Sequence, residues 1–159
     1  MENVLKKIIE KKKEKLVIFK KQYTEKYLYS QINEIKNFQD FKKKLQKNYK
    51  KNTISIIAEI KKASPSTKIF NKNFNHIEIA KKYIENGAAC LSVLTEEDFF
   101  LGNLNHIKDI KNIYTIPILC KDFFIDLYQV LLAKSFGADC ILIILSALEI
   151  TKAREIYEF

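Results

Sequence analysis

Two textures follow one another along the chain. Up to about residue 51, apolar residues recur at helical spacing. In ENVLKKIIEKKKEKLVIFKKQ, Leu5, Ile8, Ile9, Leu16 and Phe19 fall near one stripe among lysines, and Phe38, Phe41, Leu45 and Tyr49 repeat the spacing. This predicts two amphipathic helices. From residue 54 the pattern changes to four short β-rich apolar runs, at 54–60, 89–94, 116–120 and 140–145, none with polar alternation. Unalternated runs suit parallel strands covered on both faces. Helix-like segments separate and follow them at about 76–86, 103–113, 126–136 and 148–158. The expectation is an α/β chain of repeating βα units over residues 52–159, preceded by a helical extension over 1–51.

The punctuation agrees with that division. Gly87 and Gly137 each follow a helical segment where a left-handed C-terminal cap is wanted, and each leads directly into an apolar run. The two junctions, NGAACLSVL and FGADCILIIL, lie 50 residues, or two βα units, apart. This weak internal repeat favours regular winding. In such folds chemistry gathers where strands end and βα loops begin.

Composition narrows the picture only in part. A chain of 159 residues, 47% apolar and 12% aromatic, is enough for one core. Cys90, Cys120 and Cys140 sit in or beside apolar runs without C-x-x-C spacing, as buried thiols do, which fits a reducing compartment. No apolar run approaches the ~20 residues that cross a bilayer, and the N-terminus lacks an uninterrupted apolar core of the secretory kind. The chain is expected to be cytoplasmic, with no membrane partner. The net charge of +9 is wholly N-terminal: residues 1–51 hold 16 lysines against 6 acidic residues, and the remainder is nearly balanced. Only Arg154 is an arginine, whereas phosphate and base recognition favour the bidentate guanidinium. The basic excess therefore reads as a solvated helical face, and no nucleic-acid partner is expected.

Candidate chemistry lies at two strand ends. In IIAEIKKASPS, Glu59 and Lys61 share a face by alternation, with Lys62 opposite or in the loop. In IPILCKDFFID, Lys121 and Phe123 share a face and Asp122 takes the other. Two lysines and a glutamate can thus converge from neighbouring strands; the alternative is that these charges only cap strand ends and pair with one another. His76 and His106 fall at predicted helix starts without partners at ligand spacing, which makes them surface histidines and leaves no metal site. The run Thr95-Glu-Glu-Asp98 follows the second strand as a loop. With glycine only at 87, 102 and 137, a Walker or dinucleotide fingerprint is excluded.

Four stretches, AEIKKASPS, LSVLTEEDFFLGNL, IPILCKDFFIDLYQV and GADCILIILSAL, resemble in order and separation the successive βα landmarks of the indole-3-glycerol-phosphate synthases, and VLKKIIEKKKEKL is similar to the helix preceding that family's barrel. The resemblance implies a (βα)8 TIM barrel and a lyase of tryptophan biosynthesis. That lyase closes the pyrrole ring of 1-(2-carboxyphenylamino)-1-deoxyribulose 5-phosphate with release of carbon dioxide and water, and uses no cofactor. It implies Lys121 as general acid, and Glu59 and Lys61 as its partners on the first strand. Ser64 and Pro65 belong to the first βα loop, which closes on the substrate, with the TEED loop shaping the pocket. Phe100, Phe123, Leu142 and Ile144 match apolar positions around the anthranilate ring, although core packing is the other account of each Phe.

A full barrel takes about 250 residues. Counted from residue 54, this chain has room for about the first four units. The family's second glutamate, on the fifth strand, and its seventh and eighth phosphate-binding loops fall outside it. The chain reads as a cut chain, a decayed gene product or one part of a split or fused enzyme, and by itself is expected to be inactive and self-associating. The rival functions are an inactive half-barrel scaffold and a basic nucleic-acid-binding protein.

Overall fold

A computed structural model describes residues 2–66, 68–69 and 73–159. Three helices come first: α1 (Glu2–Gln22), α2 (Glu25–Glu34) and α3 (Phe41–Lys50). The apolar spacing predicts two. The extra break comes from capping: the Thr24 side chain accepts from the Tyr27 N–H and starts α2, and the Asp40 carboxylate accepts from the Lys43 N–H and starts α3. There follow β1 (Ile57–Ile60), a short antiparallel pair β2 (Ala63–Ser64) and β3 (Lys68–Ile69), α4 (His76–Glu85), β4 (Cys90–Leu94), α5 (Asn105–Ile113), β5 (Ile118–Lys121), α6 (Leu127–Ser135), β6 (Cys140–Ile141) and α7 (Ile150–Glu158). The β2–β3 hairpin lies inside the first βα loop and has no counterpart in the apolar pattern.

The sheet order is β1-β4-β5-β6, all parallel, each strand followed by its helix. This is the arrangement of about the first four units of a TIM barrel. Gly87 and Gly137 take φ of +86° and +95°, the left-handed caps expected of them. One strand face packs on the helices: Ile60, Leu91, Val93, Ile118 and Cys120 join Ala80, Ile107, Ile110, Ala133 and Ile156 in one buried cluster. Burial of each large side chain is worth about 1.5–3 kcal/mol. Alternation turns Glu59, Ser92, Leu119 and Lys121 to the other, inner face.

Two runs form less strand than their composition predicts. Ile54 and Ile56 stay outside the sheet, 88% and 56% exposed, and the last run pairs only at Cys140 and Ile141 before a 3-10 turn at Leu145–Ala147. Both belong to edge strands with one neighbour, where pairing ends early for want of a second partner.

The helical extension shares its core with the barrel units. Leu16 and Leu28 pack with Tyr128, Leu131 and Leu132 of α6, and the Tyr128 hydroxyl lies 2.7 Å from the Phe19 carbonyl oxygen. At the opposite end of the strands, the Lys111 ammonium meets the Asp139 carboxylate at 2.9 Å with both side chains almost wholly buried. Asp139 also accepts from the N–H groups of Gln39 and Ile118, and Lys111 donates to the Asn37 carbonyl. The three cysteines are free, Cys90 and Cys120 buried and Cys140 half-buried. Burial pushes the Cys90 thiol up to about 11, so it stays protonated. Among the described residues no helix is long and apolar enough to cross a membrane.

Candidate active site

The carboxyl ends of β1 and β5 carry the charges that the sequence pattern singles out. Glu59 stands on β1 opposite buried Ser92, and Lys121 ends β5 opposite Leu94. Glu59 receives both lysines: Lys61 Nζ lies 2.6 Å from its Oε1, and Lys121 Nζ donates to its Oε2. All three side chains are partly exposed. Burial alone would raise the Glu59 pKa, but the hydrogen bonds from Lys121 and then Lys61 outweigh it and hold the carboxyl below its usual range. The cluster therefore presents one ionised carboxylate and two ammonium donors, the equipment for protonating an oxygen and for steadying an anion.

Asp122 takes the opposite face, as alternation requires. Its carboxylate receives the ammonium of Lys12 from α1 at 2.6 Å, the Thr95 hydroxyl at 2.8 Å and the Phe123 N–H at 2.7 Å. Lys15 pairs with Glu97 and Asp98, and Lys20 with Asp126. Three lysines of the basic first helix thus grip the acidic loops after β4 and β5.

Phe123 follows Lys121 by two residues, and its ring centroid lies 6.3 Å from that of Phe100 in the loop after β4. Ser64 is buried in β2 with its hydroxyl 3.1 Å from that of Ser66, and Pro65 is exposed at the turn between them. Ile141 and Ile143 pack into the helix-facing cluster, so Leu142 and Ile144 fall on the inner face, both half-buried.

The histidines correct one expectation. His76 and His106 are half-buried and not surface groups: their rings stack at 4.3 Å, Phe74 packs on both, and His76 Nε2 lies 2.9 Å from an Asp109 oxygen. Burial first, then the neighbouring His76, drives the His106 pKa down from 6.5 to about 4. Sequence spacing missed the pair because the two residues come from different helices. Among the described residues no three His, Cys, Asp or Glu side chains gather to hold a metal ion.

Parallel strands each followed by a helix, with ionisable groups at the strand ends, define a βα-barrel protein. The sequence model of indole-3-glycerol phosphate synthase matches residues 5–159. The chain belongs to the indole-3-glycerol phosphate synthase family. It is similar to the indole-3-glycerol phosphate synthase of Aliarcobacter butzleri, 43% identical over 156 residues that make up 98% of this chain and 59% of that protein. It is also similar to those of Alkaliphilus metalliredigens, 43% identical over 91% of this chain and 54% of the relative, and Nautilia profundicola, 47% identical over 78% of this chain and 47% of the relative. The chain spans about half of the length of the curated relatives it matches.

Proposed function

We propose that the chain supplies the first part of an indole-3-glycerol-phosphate synthase barrel, and that Glu59, Lys61 and Lys121 carry acid–base chemistry in it. The reaction closes the pyrrole ring of 1-(2-carboxyphenylamino)-1-deoxyribulose 5-phosphate, releasing carbon dioxide and water, as a carbon–carbon lyase. Lys121 donates a proton to the ketone oxygen during ring closure. Lys61 holds or protonates the substrate, and Glu59 positions it and assists the later dehydration. The observation that carries this reading is the shared carboxylate: once Lys121 has given up its proton, Glu59 still faces Lys61 at 2.6 Å, so its charge is not left uncompensated.

Phe100, Phe123, Leu142 and Ile144 form the slot for the anthranilate ring, and Ser64 and Pro65 belong to the loop that closes over it. An aromatic ring bearing a carboxylate suits apolar walls with cations at the rim. The phosphate cradle and a further general base belong to barrel units outside this chain, and no cofactor takes part. Residues 1–51 act as an extension of the barrel segment 52–159. A cytoplasmic setting suits three free thiols. No nucleic-acid partner is proposed, since Lys12, Lys15 and Lys20 are turned onto acidic loop residues.

The test is turnover in a barrel completed with the remaining units of a relative. Lys121→Ala is expected to lower kcat by about 10²–10⁴-fold, the usual contribution of a positioned acid, with far less change in KM. Near-normal turnover would remove Lys121 from the mechanism.

A further inference from the structure

The loop after β4 is built around a carboxylate that the reaction does not use. Glu96 is 1% exposed, and among the described residues it forms no ion pair. Instead its Oε2 accepts from the N–H groups of Phe99 at 2.7 Å and Phe100 at 3.1 Å, and its Oε1 from the N–H of Asp98 at 3.1 Å. Its own carbonyl accepts from the Gly102 N–H at 2.7 Å and closes the loop. Charge-assisted hydrogen bonds of this kind are about twice as strong as neutral ones.

The loop needs such a hub because its backbone is not relaxed. Leu101 sits at φ +51°, in the left-handed region that its Cβ disfavours. Gly102 passes so close to β4 that a Cβ would stand 2.4 Å from the Leu94 carbonyl oxygen, so no other residue fits there unchanged. Two consequences leave the loop. The Phe100 ring is set against Phe123, and the Phe100 carbonyl accepts from the Ala63 N–H at 3.2 Å. Ala63 begins β2, which carries Ser64. Glu96 thus connects, through Phe100, the aromatic slot and the first βα loop.

We propose that Glu96 is a positioning residue for the aromatic-carboxylate pocket, holding Phe100 against Phe123 and, through the Phe100 carbonyl, tying the first βα loop to the second; the pocket's role rests on the function proposed above. The slot residues lie within this chain, so the 159-residue protein can be tested directly, with anthranilate as a fluorescent probe. Affinities are measured for the wild type, Glu96→Gln, Phe100→Ala and the double variant, and amide exchange is followed at Ala63. Glu96→Gln is expected to raise the anthranilate Kd about fivefold or more in the wild-type background, but less than about twofold when Phe100 is already alanine, because residues acting as one unit are not additive. Faster Ala63 exchange is expected in Glu96→Gln. Equal losses of affinity in both backgrounds would show general destabilisation and overturn the proposal, as would unchanged Ala63 protection. Absence of anthranilate binding by the wild type would overturn the aromatic-pocket assignment, and Ala63 exchange would then alone decide whether Glu96 joins the loops. Where Glu96→Gln fails to fold, Glu96→Asp keeps the charge but shortens the reach, and the same directions are expected.

Discussion

Glu59 lies between two ammonium groups while Phe123 and Phe100 meet a short distance along the same strand ends and loops. In a completed barrel, Phe123→Ala or Phe100→Ala is expected to weaken substrate binding by about 1–3 kcal/mol, the scale of one lost apolar surface. Normal binding in both variants, with a much lower melting temperature, would make them core residues only. His106 allows a separate test by pH. Its folded-state value of about 4 lies below the unfolded 6.5, because burial and His76, with Lys62 adding and Asp109 opposing, disfavour the imidazolium. As pH falls below 6.5 the unfolded chain takes up that proton first, so the contribution is full above 6.5 and is lost progressively down to about 4. Urea unfolding at pH 7.5 and pH 5 should therefore show a smaller loss of stability on acidification in His106→Gln than in the wild type; equal losses would mean that other groups set the acid limb.

Between elements, the Lys111–Asp139 pair binds α5, the start of β5 and β6, and the link between α2 and α3 at one buried point. Removing one partner leaves the other charge buried alone. Asp139→Ala is expected to cost about 3–5 kcal/mol by chemical denaturation, well beyond an ordinary surface change. A loss below about 1 kcal/mol would show that water reaches Lys111 freely. At the other end of the strands, the pairs from Lys12, Lys15 and Lys20 make α1 part of the loop scaffold. The charge count of this segment was legible in the sequence, but its direction was not. A lysine's partner at residue 122 or 97 is fixed by how α1 crosses the loops, which helical periodicity does not encode.

Across the whole molecule, four parallel strands leave two edges with one neighbour each. Ile54 and Ile56 before β1 and Ile57 at its start are exposed, as are Leu145, Ile150 and Tyr157 beyond β6. Such edges and apolar surfaces recruit further strands or partners. The 159-residue chain alone is therefore expected to self-associate and to lack turnover. Sedimentation velocity together with an assay for indole-3-glycerol phosphate checks both, and a monodisperse, active monomer would contradict them.

The sequence by itself determined the βα order, since unalternated apolar runs and glycine caps are local consequences of burial on two faces and of backbone chirality. Strand alternation also put Glu59 and Lys61 on one face and Asp122 opposite Lys121, and the structure keeps both assignments. Only the tertiary structure decided that Lys61, just after β1, and Lys121 of β5 share the Glu59 carboxylate, that Glu96 is buried as a hub that among the described residues has no opposing ion, and that two histidines stack across α4 and α5. These depend on sheet register and on which helices lie side by side. Such contacts join residues tens of positions apart, and neither periodicity nor spacing constrains them.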